Sequence, residues 1–138
     1  MNTGELIRKY RQVAGLTQKE LGEACGLSEP AIRNYELGNR TPSESQVTVI
    51  SEALGIKPQA LMPHELESAR DALAVVFELG DQYGLTPLKD GTLKINPKAK
   101  SAQKLDAAIK AWSSVVEEVA SGEMTEEEYD LWKAKFEL

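Results

Sequence analysis

The chain has 138 residues, 41% of them hydrophobic, and a formal net charge of -6 at pH 7. This length suits one ordinary domain or two very small ones. No run approaches the ~20 apolar residues that cross a bilayer, and the N-terminus lacks the apolar stretch of a signal peptide, so a cytoplasmic protein is expected. One cysteine and one histidine argue against a disulfide framework, a zinc site and Cys/His catalysis.

Capping residues divide the first 62 residues into short predicted helices. The first helix is predicted from apolar residues at helical spacing in the segment LIRKYRQV. Thr17 and Glu20 form a capping box that starts the second helix at Gln18, and Gly26 provides its exit. Ser28 then caps a third helix.

The third and fourth helices complete this region. Pro30 is tolerated in the first turn of the third helix because its missing N–H would be unpaired there, and Gly38 closes the helix. Ser43 and Gln46 form another capping box, opening a helix that runs to Leu54. One small core is predicted from Leu21, Leu27, Ile32, Tyr35, Val47, Ile50, Leu54 and Leu61.

Charge is distributed unevenly along the chain. Residues 1–62 hold seven cationic and seven anionic side chains, so the remaining segment carries the whole net charge of -6. An acidic surface repels phosphate. Any contact with a nucleic acid is therefore expected from the first half of the chain.

Two short helices joined by the tight turn CGLS make a helix-turn-helix pattern. The stretch GLTQKELGEACGLSEPAIRNYELGNRTPS resembles the helix-turn-helix of the phage repressor and Cro family, the xenobiotic-response-element (XRE) type of regulator. The matching positions are Gly15, Leu16, Thr17, Gln18, Leu21, Gly26, Ser28, Ile32, Tyr35, Glu36, Gly38, Arg40, Pro42 and the ISEALGI helix. The resemblance covers nearly all of residues 3–62. It implies a five-helix DNA-binding domain whose second helix crosses the phosphate backbone and whose third lies in the major groove.

The resemblance also implies roles for numbered residues. Gln18 begins helix two, where its amide and the first-turn N–H groups clasp a phosphate. Arg40, helped by Asn39, is expected to be a second phosphate clamp. Base reading falls to the exposed face near the start of helix three. The predicted DNA-binding residues are Gln18, Ser28, Glu29, Pro30, Arg33, Asn34, Asn39 and Arg40.

The side chains of helix three suit a mixed base sequence. A glutamate accepts from the cytosine amino group, Arg33 grips guanine bidentately, Asn34 pairs with adenine, and Pro30 offers only apolar contact, for instance to a thymine methyl. The family usually carries a longer polar side chain at the proline position. Alternatively, Glu29 only complements the helix dipole. Glu36 is interpreted as an ionic or hydrogen-bonded link to neighbouring helices, since phosphate repels carboxylates.

Residues 63–138 give weaker patterns. Pro63 is predicted to lie in the first turn of a long helix. Its heptad repeat covers too few heptads to predict a coiled coil and consists of Leu66, Ala69, Leu73, Val76, Gly80 and Tyr83. LTPLKDGTLKIN predicts a hairpin with Asp90-Gly91 as a two-residue turn. Next come an amphipathic helix ended by Gly122 and a last helix opened by the capping box of Thr125 with Glu128. The ending SGEMTEEEYDLWK is similar to that of many small bacterial regulators of the same type.

The predicted fold class is mostly α: a five-helix repressor-like DNA-binding domain (1–62) plus a small C-terminal helical segment with a β-hairpin (63–138), for dimerisation or interaction. A lone hairpin and an amphipathic helix both need a packing partner. We therefore expect two copies to associate, although the segment packing only upon itself is the alternative. The predicted dimerisation residues are Leu93, Ile95, Trp112, Val116 and Trp132.

These patterns predict a sequence-specific DNA-binding transcriptional regulator, more narrowly a dimeric repressor, because a bound dimer blocks polymerase. The alternative is an antitoxin-like interaction protein whose acidic C-terminal part binds a partner protein. An enzyme has little support, since no Gly-rich phosphate loop, metal-ligand spacing or nucleophile with a plausible base is present. The expected partners are double-stranded DNA and a second copy of the chain, with no membrane, metal or cofactor.

Overall fold

The computed structural model describes residues 1–137 and divides them into two compact units. Unit 1 comprises Met1–His64 and Thr125–Glu137, and unit 2 begins at Glu65 and ends at Met124. The fold is mostly helical with one two-stranded antiparallel sheet, as predicted. Within residues 1–137, no helix has both the length and the apolar character of a membrane span.

Unit 1 begins with four α-helices, which are α1 (Thr3–Val13), α2 (Gln18–Cys25), α3 (Glu29–Glu36) and α4 (Glu44–Leu54). The fifth helix of the predicted domain is a single 3-10 turn, Pro58–Leu61. The predicted capping boxes are confirmed, and each pairs an orphan N–H group of a first turn with a side-chain oxygen. These caps set where α2 and α4 begin.

The core of unit 1 contains the predicted apolar residues, with Leu27 only partly buried at its edge. Four further residues are buried there that the predicted core did not include: Ile7, Tyr10, Ile56 and Ala134. The first two lie on the inner face of α1, and Ile56 follows α4. Ala134 comes from the far end of the chain, in α7 (Glu126–Lys135).

Helix α7 belongs to unit 1, which differs from a simple division of the chain into residues 1–62 and 63–138. The backbone N–H of Lys57 donates to the carbonyl of Ala134 at 2.8 Å. The ammonium of Lys9 lies 2.7 Å from the carboxylate of Asp130, and Leu131 packs against the core. Backbone pairing, an ion pair and apolar packing thus hold α7 on the first unit.

The first helix of unit 2, α5 (Ala69–Tyr83), begins six residues later than the predicted start at Pro63. Ser68 is its N-cap, and its side chain forms a capping box with Asp71. The sequence prediction was wrong at this boundary because the capping box at Ser68 fixes the first turn. Leu66, predicted to lie on the heptad face, is outside the helix and exposed.

The hairpin pairs β1 (Leu85–Pro87) with β2 (Leu93–Ile95), but its turn is not the predicted two-residue Asp90-Gly91 turn. The N–H of Leu88 donates to the carbonyl of Thr92 at 2.8 Å, which leaves three residues in the loop. Gly91 has φ +85° and its N–H donates to Leu88 at 3.0 Å. A three-residue loop places its glycine in this left-handed position, which explains the difference.

Helix α6 (Ala102–Ser121) ends at Gly122 as predicted. Between residues 65 and 124, all of which the structure describes, only Ala102 and Val115 are buried. Unit 2 therefore has two long helices and a hairpin but almost no core of its own.

Candidate nucleic-acid interface

The turn between α2 and α3 is fixed by backbone geometry. Gly26 adopts φ 70°, the left-handed conformation that ends α2, and the N–H of Leu27 donates to the carbonyl of Gly22 at 2.8 Å. A Cβ on Gly22 would lie 2.5 Å from the carbonyl oxygen of Leu27, so a side chain there would force the turn apart. The two helices are therefore held at a short, defined junction.

Helix α3 presents one face to the core and the opposite face outward. Ile32 and Tyr35 are buried. Ser28 caps the helix, and its hydroxyl accepts the N–H of Ala31 at 3.2 Å. Pro30 lies in the first turn and is exposed, as the missing N–H allows. The polar side chains between these core positions face away from the core.

The outward face of α3 carries an ion pair between two of the predicted base-reading residues. The guanidinium of Arg33 lies 3.3 Å from the carboxylate of Glu29, one helical turn earlier, and both side chains are about half exposed. A guanidinium donates to guanine, and a carboxylate accepts from the cytosine amino group. The pair thus places a donor beside an acceptor, and the two groups are complementary to the guanine acceptors and the cytosine donor of a G·C pair.

A second polar cluster lies at the end of α3. The side-chain amide of Asn39 donates to the side-chain oxygen of Asn34 at 3.3 Å. The backbone carbonyl of Asn34 accepts from the N–H groups of Asn39 and Arg40 at 3.0 and 3.3 Å. Among the described residues, no carboxylate pairs with the exposed side chain of Arg40. Its charge is therefore available to a phosphate.

Glu36 links three helices, which confirms the interpretation of this residue as a structural group. Arg11 donates to both of its carboxylate oxygens, at 2.5 and 3.0 Å, and also to the carbonyl of Leu16 at 2.8 Å. Gln18 donates its amide to Glu36 at 2.9 Å. The side chains of Arg11 and Glu36 are only 11% and 3% exposed. Glu36 thereby fixes the position of the Gln18 amide.

The ionisation of Glu36 reflects these contacts. Burial raises the pKa of Glu36, but hydrogen bonds from Arg11 and Gln18 and the nearby charges of Arg11 and Arg8 outweigh burial, so the pKa lies below its ordinary value. The hydrogen bond to Glu36 likewise raises the pKa of Arg11 against the opposing effect of burial. The pair is therefore ionised at neutral pH.

Gln18 retains donors for a phosphate after pairing with Glu36. An amide nitrogen carries two hydrogens, and Glu36 uses one of them. The first-turn N–H groups of α2 at Gln18 and Lys19 have no partners within the helix, whereas that of Glu20 donates to the hydroxyl of Thr17 at 3.1 Å. Free donors and the positive end of the helix dipole suit an anion at this point.

Most cations of residues 1–62 are already paired inside unit 1. Arg11 and Arg33 pair with carboxylates of α3, whereas Lys9 and Lys57 pair with Asp130 and Glu137 near the end of the chain. Within residues 1–137, no three His, Cys, Asp or Glu side chains form a cluster able to hold a metal ion.

The sequence alone does not identify Arg11 as part of this arrangement. Arg11 lies seven residues before Gln18 and 25 before Glu36, and no local pattern predicts a contact over such a distance. The contact that joins them forms only when α1 packs beside α3. The predicted site residues do come together in pairs: Glu29 with Arg33, and Asn34 with Asn39.

Comparison with known proteins agrees with this geometry. A helix-turn-helix family model matches residues 7–61. The HTH-type transcriptional regulator YazB of Bacillus subtilis is 34% identical over 62 residues, which cover 45% of this chain and 90% of YazB. The chain belongs to the XRE-type helix-turn-helix transcriptional regulators.

Two further proteins are similar to part of this chain. An HTH-type transcriptional regulator of Mycobacterium tuberculosis is 31% identical over 77 residues, covering 51% of this chain. The matched part spans about half the length of that relative, 55%. Among solved structures, the DNA-binding domain of the P22 c2 repressor is 29% identical, with a TM-score of 0.45, and the match covers 52% of this chain and 95% of that one.

Proposed function

We propose that this regulator binds a specific DNA operator as a homodimer in the cytoplasm and represses transcription there. The observation that carries the proposal is the outward face of α3. Glu29, Arg33 and Asn34 present donors and acceptors there, while Ile32 and Tyr35 anchor the helix in the core. With α3 in the major groove, these side chains reach base edges.

Phosphate contacts flank this reading face in the proposal. Gln18 clasps one phosphate with its remaining amide hydrogen and the free N–H groups of α2, and Arg40 clasps another beyond α3, beside Asn39. Ser28 and Pro30 bring the start of α3 close to the bases.

Selection of duplexes from a random library by the full-length protein tests the proposal. Recovery of no preferred sequence would contradict it.

The dimer is proposed to form through unit 2. A segment of about 60 residues with two buried side chains cannot offset the conformational entropy lost on folding. Nine of its large apolar side chains are instead 37% to 55% exposed: Leu66, Leu73, Val75, Phe77, Leu88, Leu93, Ile109, Trp112 and Val116. Those on α6 recur at positions 109, 112 and 116, which fall on one helical face. A second copy would bury them.

The predicted dimerisation residues differ in how strongly they support this interface. Leu93, Trp112 and Val116 are exposed in unit 2, and Ile95 is half-buried beside Leu93 on one face of the hairpin. Trp132 lies in unit 1, with its ring 4.8 Å from that of Phe136. Its part in dimerisation stays a prediction, because the argument from an absent core applies to unit 2 alone.

Arg33→Ala is expected to weaken binding to the selected operator by ~1–3 kcal/mol and to relax the preference at one base pair. The substitution removes the exposed guanidinium that, in this proposal, donates to guanine. Competition binding with operators changed at each base pair measures both effects. Glu29→Gln breaks the same ion pair but keeps the guanidinium, so the preference at the base pair read by Arg33 should persist, and a change at another base pair would report on Glu29 itself. Equal loss on all sequences would show that Arg33 contacts phosphate instead.

Arg40→Ala is expected to weaken binding to operator and to scrambled DNA alike, and to lower the slope of log K against log salt by about one unit for each chain bound. Gln18→Ala should lower affinity with little change of slope, because an uncharged amide displaces no counterion. Titrations over a range of salt concentrations measure both slopes. A changed base preference in either variant would contradict its role as a phosphate clamp.

A further inference from the structure

Residues 89–104, named here the lysine segment, contain five lysines and one carboxylate within an otherwise acidic half of the chain. All five lysines are exposed: Lys89, Lys94, Lys98, Lys100 and Lys104. The ion pairs formed among residues 1–137 involve other cations. Phosphate contact was expected only from the first half because the net charge of the second half is negative. That net charge does not show the local excess of positive side chains in this stretch.

The single carboxylate of the lysine segment is occupied within the hairpin turn. Asp90 accepts the N–H of Thr92 at 3.0 Å and its hydroxyl at 2.7 Å. Both hydrogen bonds lower the pKa of Asp90, so it stays ionised while it serves the turn. Asp90 thus has a structural role and leaves the lysines without a carboxylate partner.

The hairpin separates its apolar and basic side chains onto opposite faces. Leu93 and Ile95 pair with Pro87 and Leu85 across the ladder, whereas Lys94 pairs with Thr86. Neighbouring strand residues point to opposite faces, so Lys94 faces away from the apolar side. The apolar face suits the proposed dimer. Lys94 therefore remains accessible to a different partner.

The start of α6 continues this basic character. Its first turn has no acidic residue and carries Lys104. A cation at the positive end of a helix dipole destabilises the helix, and a bound anion would offset that effect.

We propose that the lysine segment binds backbone phosphates of the DNA that carries the operator, as a second contact surface that is independent of base sequence. The inference rests on the proposed function. Residues 1–62 have no net charge, and four of their seven cations are paired within unit 1. DNA-binding proteins obtain much of their affinity when lysine and arginine side chains neutralise phosphates and release the counterions bound there. The lysine segment supplies the positive charge that the helix-turn-helix lacks.

The test uses the full chain with Lys94, Lys98 and Lys100 replaced by glutamine, and with the same three replaced by arginine. Binding to an operator duplex and to a scrambled duplex of equal length is measured over a range of salt. Each lost phosphate contact lowers the slope by about 0.9, so the glutamine variant should lose roughly 2 to 3 units per chain. Between 50 and 200 mM salt this makes its fall in affinity smaller than that of the wild type by a factor of roughly 40 for each chain bound, and by more than about 1,000 for a dimer in which both chains contact DNA.

The arginine variant should keep the wild-type slope, because it keeps the charge. Lys110→Gln is the matched control: Lys110 is also exposed on α6 but lies 2.8 Å from Asp106, and its loss should leave the slope unchanged. The inference is overturned if the glutamine variant shows the wild-type slope of log K against log salt. The proposed function still stands in that case, provided that the wild-type protein prefers the operator to the scrambled duplex. Failure of the wild type to prefer the operator would instead refute the proposed function. A glutamine variant that becomes monomeric in sedimentation would show that the lysines pair with the partner subunit, which also overturns the inference.

Discussion

Replacing Arg11 by methionine is expected to lower the free energy of unfolding by about 3 kcal/mol. The substitution keeps much of the apolar stem but removes both hydrogen bonds to Glu36 and the bond to the carbonyl of Leu16. The carboxylate of Glu36 is then left nearly buried, with Gln18 as its remaining side-chain partner. An uncompensated buried charge costs far more than the loss of an exposed pair. Urea unfolding followed by circular dichroism measures the change.

Lys9→Met is the matched control for this effect. Lys9 also lies on α1 and pairs with Asp130, but both side chains are more than a quarter exposed. An exposed ion pair contributes up to about 1 kcal/mol, so this variant should lose much less stability. Adding Glu36→Gln to Arg11→Met should restore part of the loss, because no unpaired charge remains. A loss from Arg11→Met no larger than that from Lys9→Met would contradict the role of the network.

The same network makes stability depend on pH. The folded state lowers the pKa of Glu36, whereas the unfolded chain has a value near the ordinary ~4.3. A carboxylate of this kind stabilises the fold above the unfolded pKa, and the contribution is lost as the pH falls through the folded pKa. Glu36→Gln should therefore show a flatter loss of stability below about pH 4 than the wild type.

Local signals in the sequence were sufficient to predict helix α3 and the turn before it. The capping box at Thr17, the cap at Ser28 and the left-handed residue at Gly26 are short-range features, and each occurs as predicted. The alternation of core and outward residues on α3 follows from helical spacing alone. This is why the outward position of Arg33 could be predicted without a structure.

Contacts between distant parts of the chain could not be predicted in the same way. The packing of α7 on unit 1 depends on the ion pair of Lys9 with Asp130 and on the backbone hydrogen bond from Lys57 to Ala134, which join residues far apart in sequence.

The predicted start of α5 was wrong for a different reason. The pattern of apolar residues extended back to Leu66, but a capping box at Ser68 determines the first turn.

Substituting Val116 by glutamate is expected to turn the full-length regulator into a monomer and to weaken operator binding by roughly 10²- to 10⁴-fold. Val116 is 45% exposed on the apolar face of α6, and a charge buried in an apolar interface without a partner is strongly unfavourable. A single helix-turn-helix contacts one half-site, so affinity for the complete operator depends on tethering two copies. Two-fold pairing would set the half-sites about one helical turn, ~10 base pairs, apart.

A point substitution tests this better than truncation, because removal of residues 63–138 also removes α7 from unit 1. Val49→Glu is the matched control: Val49 is 39% exposed on α4, and the variant should stay dimeric and bind the operator as the wild type does. A duplex with one half-site should bind Val116→Glu and the wild type equally well, since α3 is unchanged in both. Sedimentation velocity gives the oligomeric state. A monomeric wild type, or a Val116→Glu variant that remains a tight dimer, would show that unit 2 does not form the interface through α6.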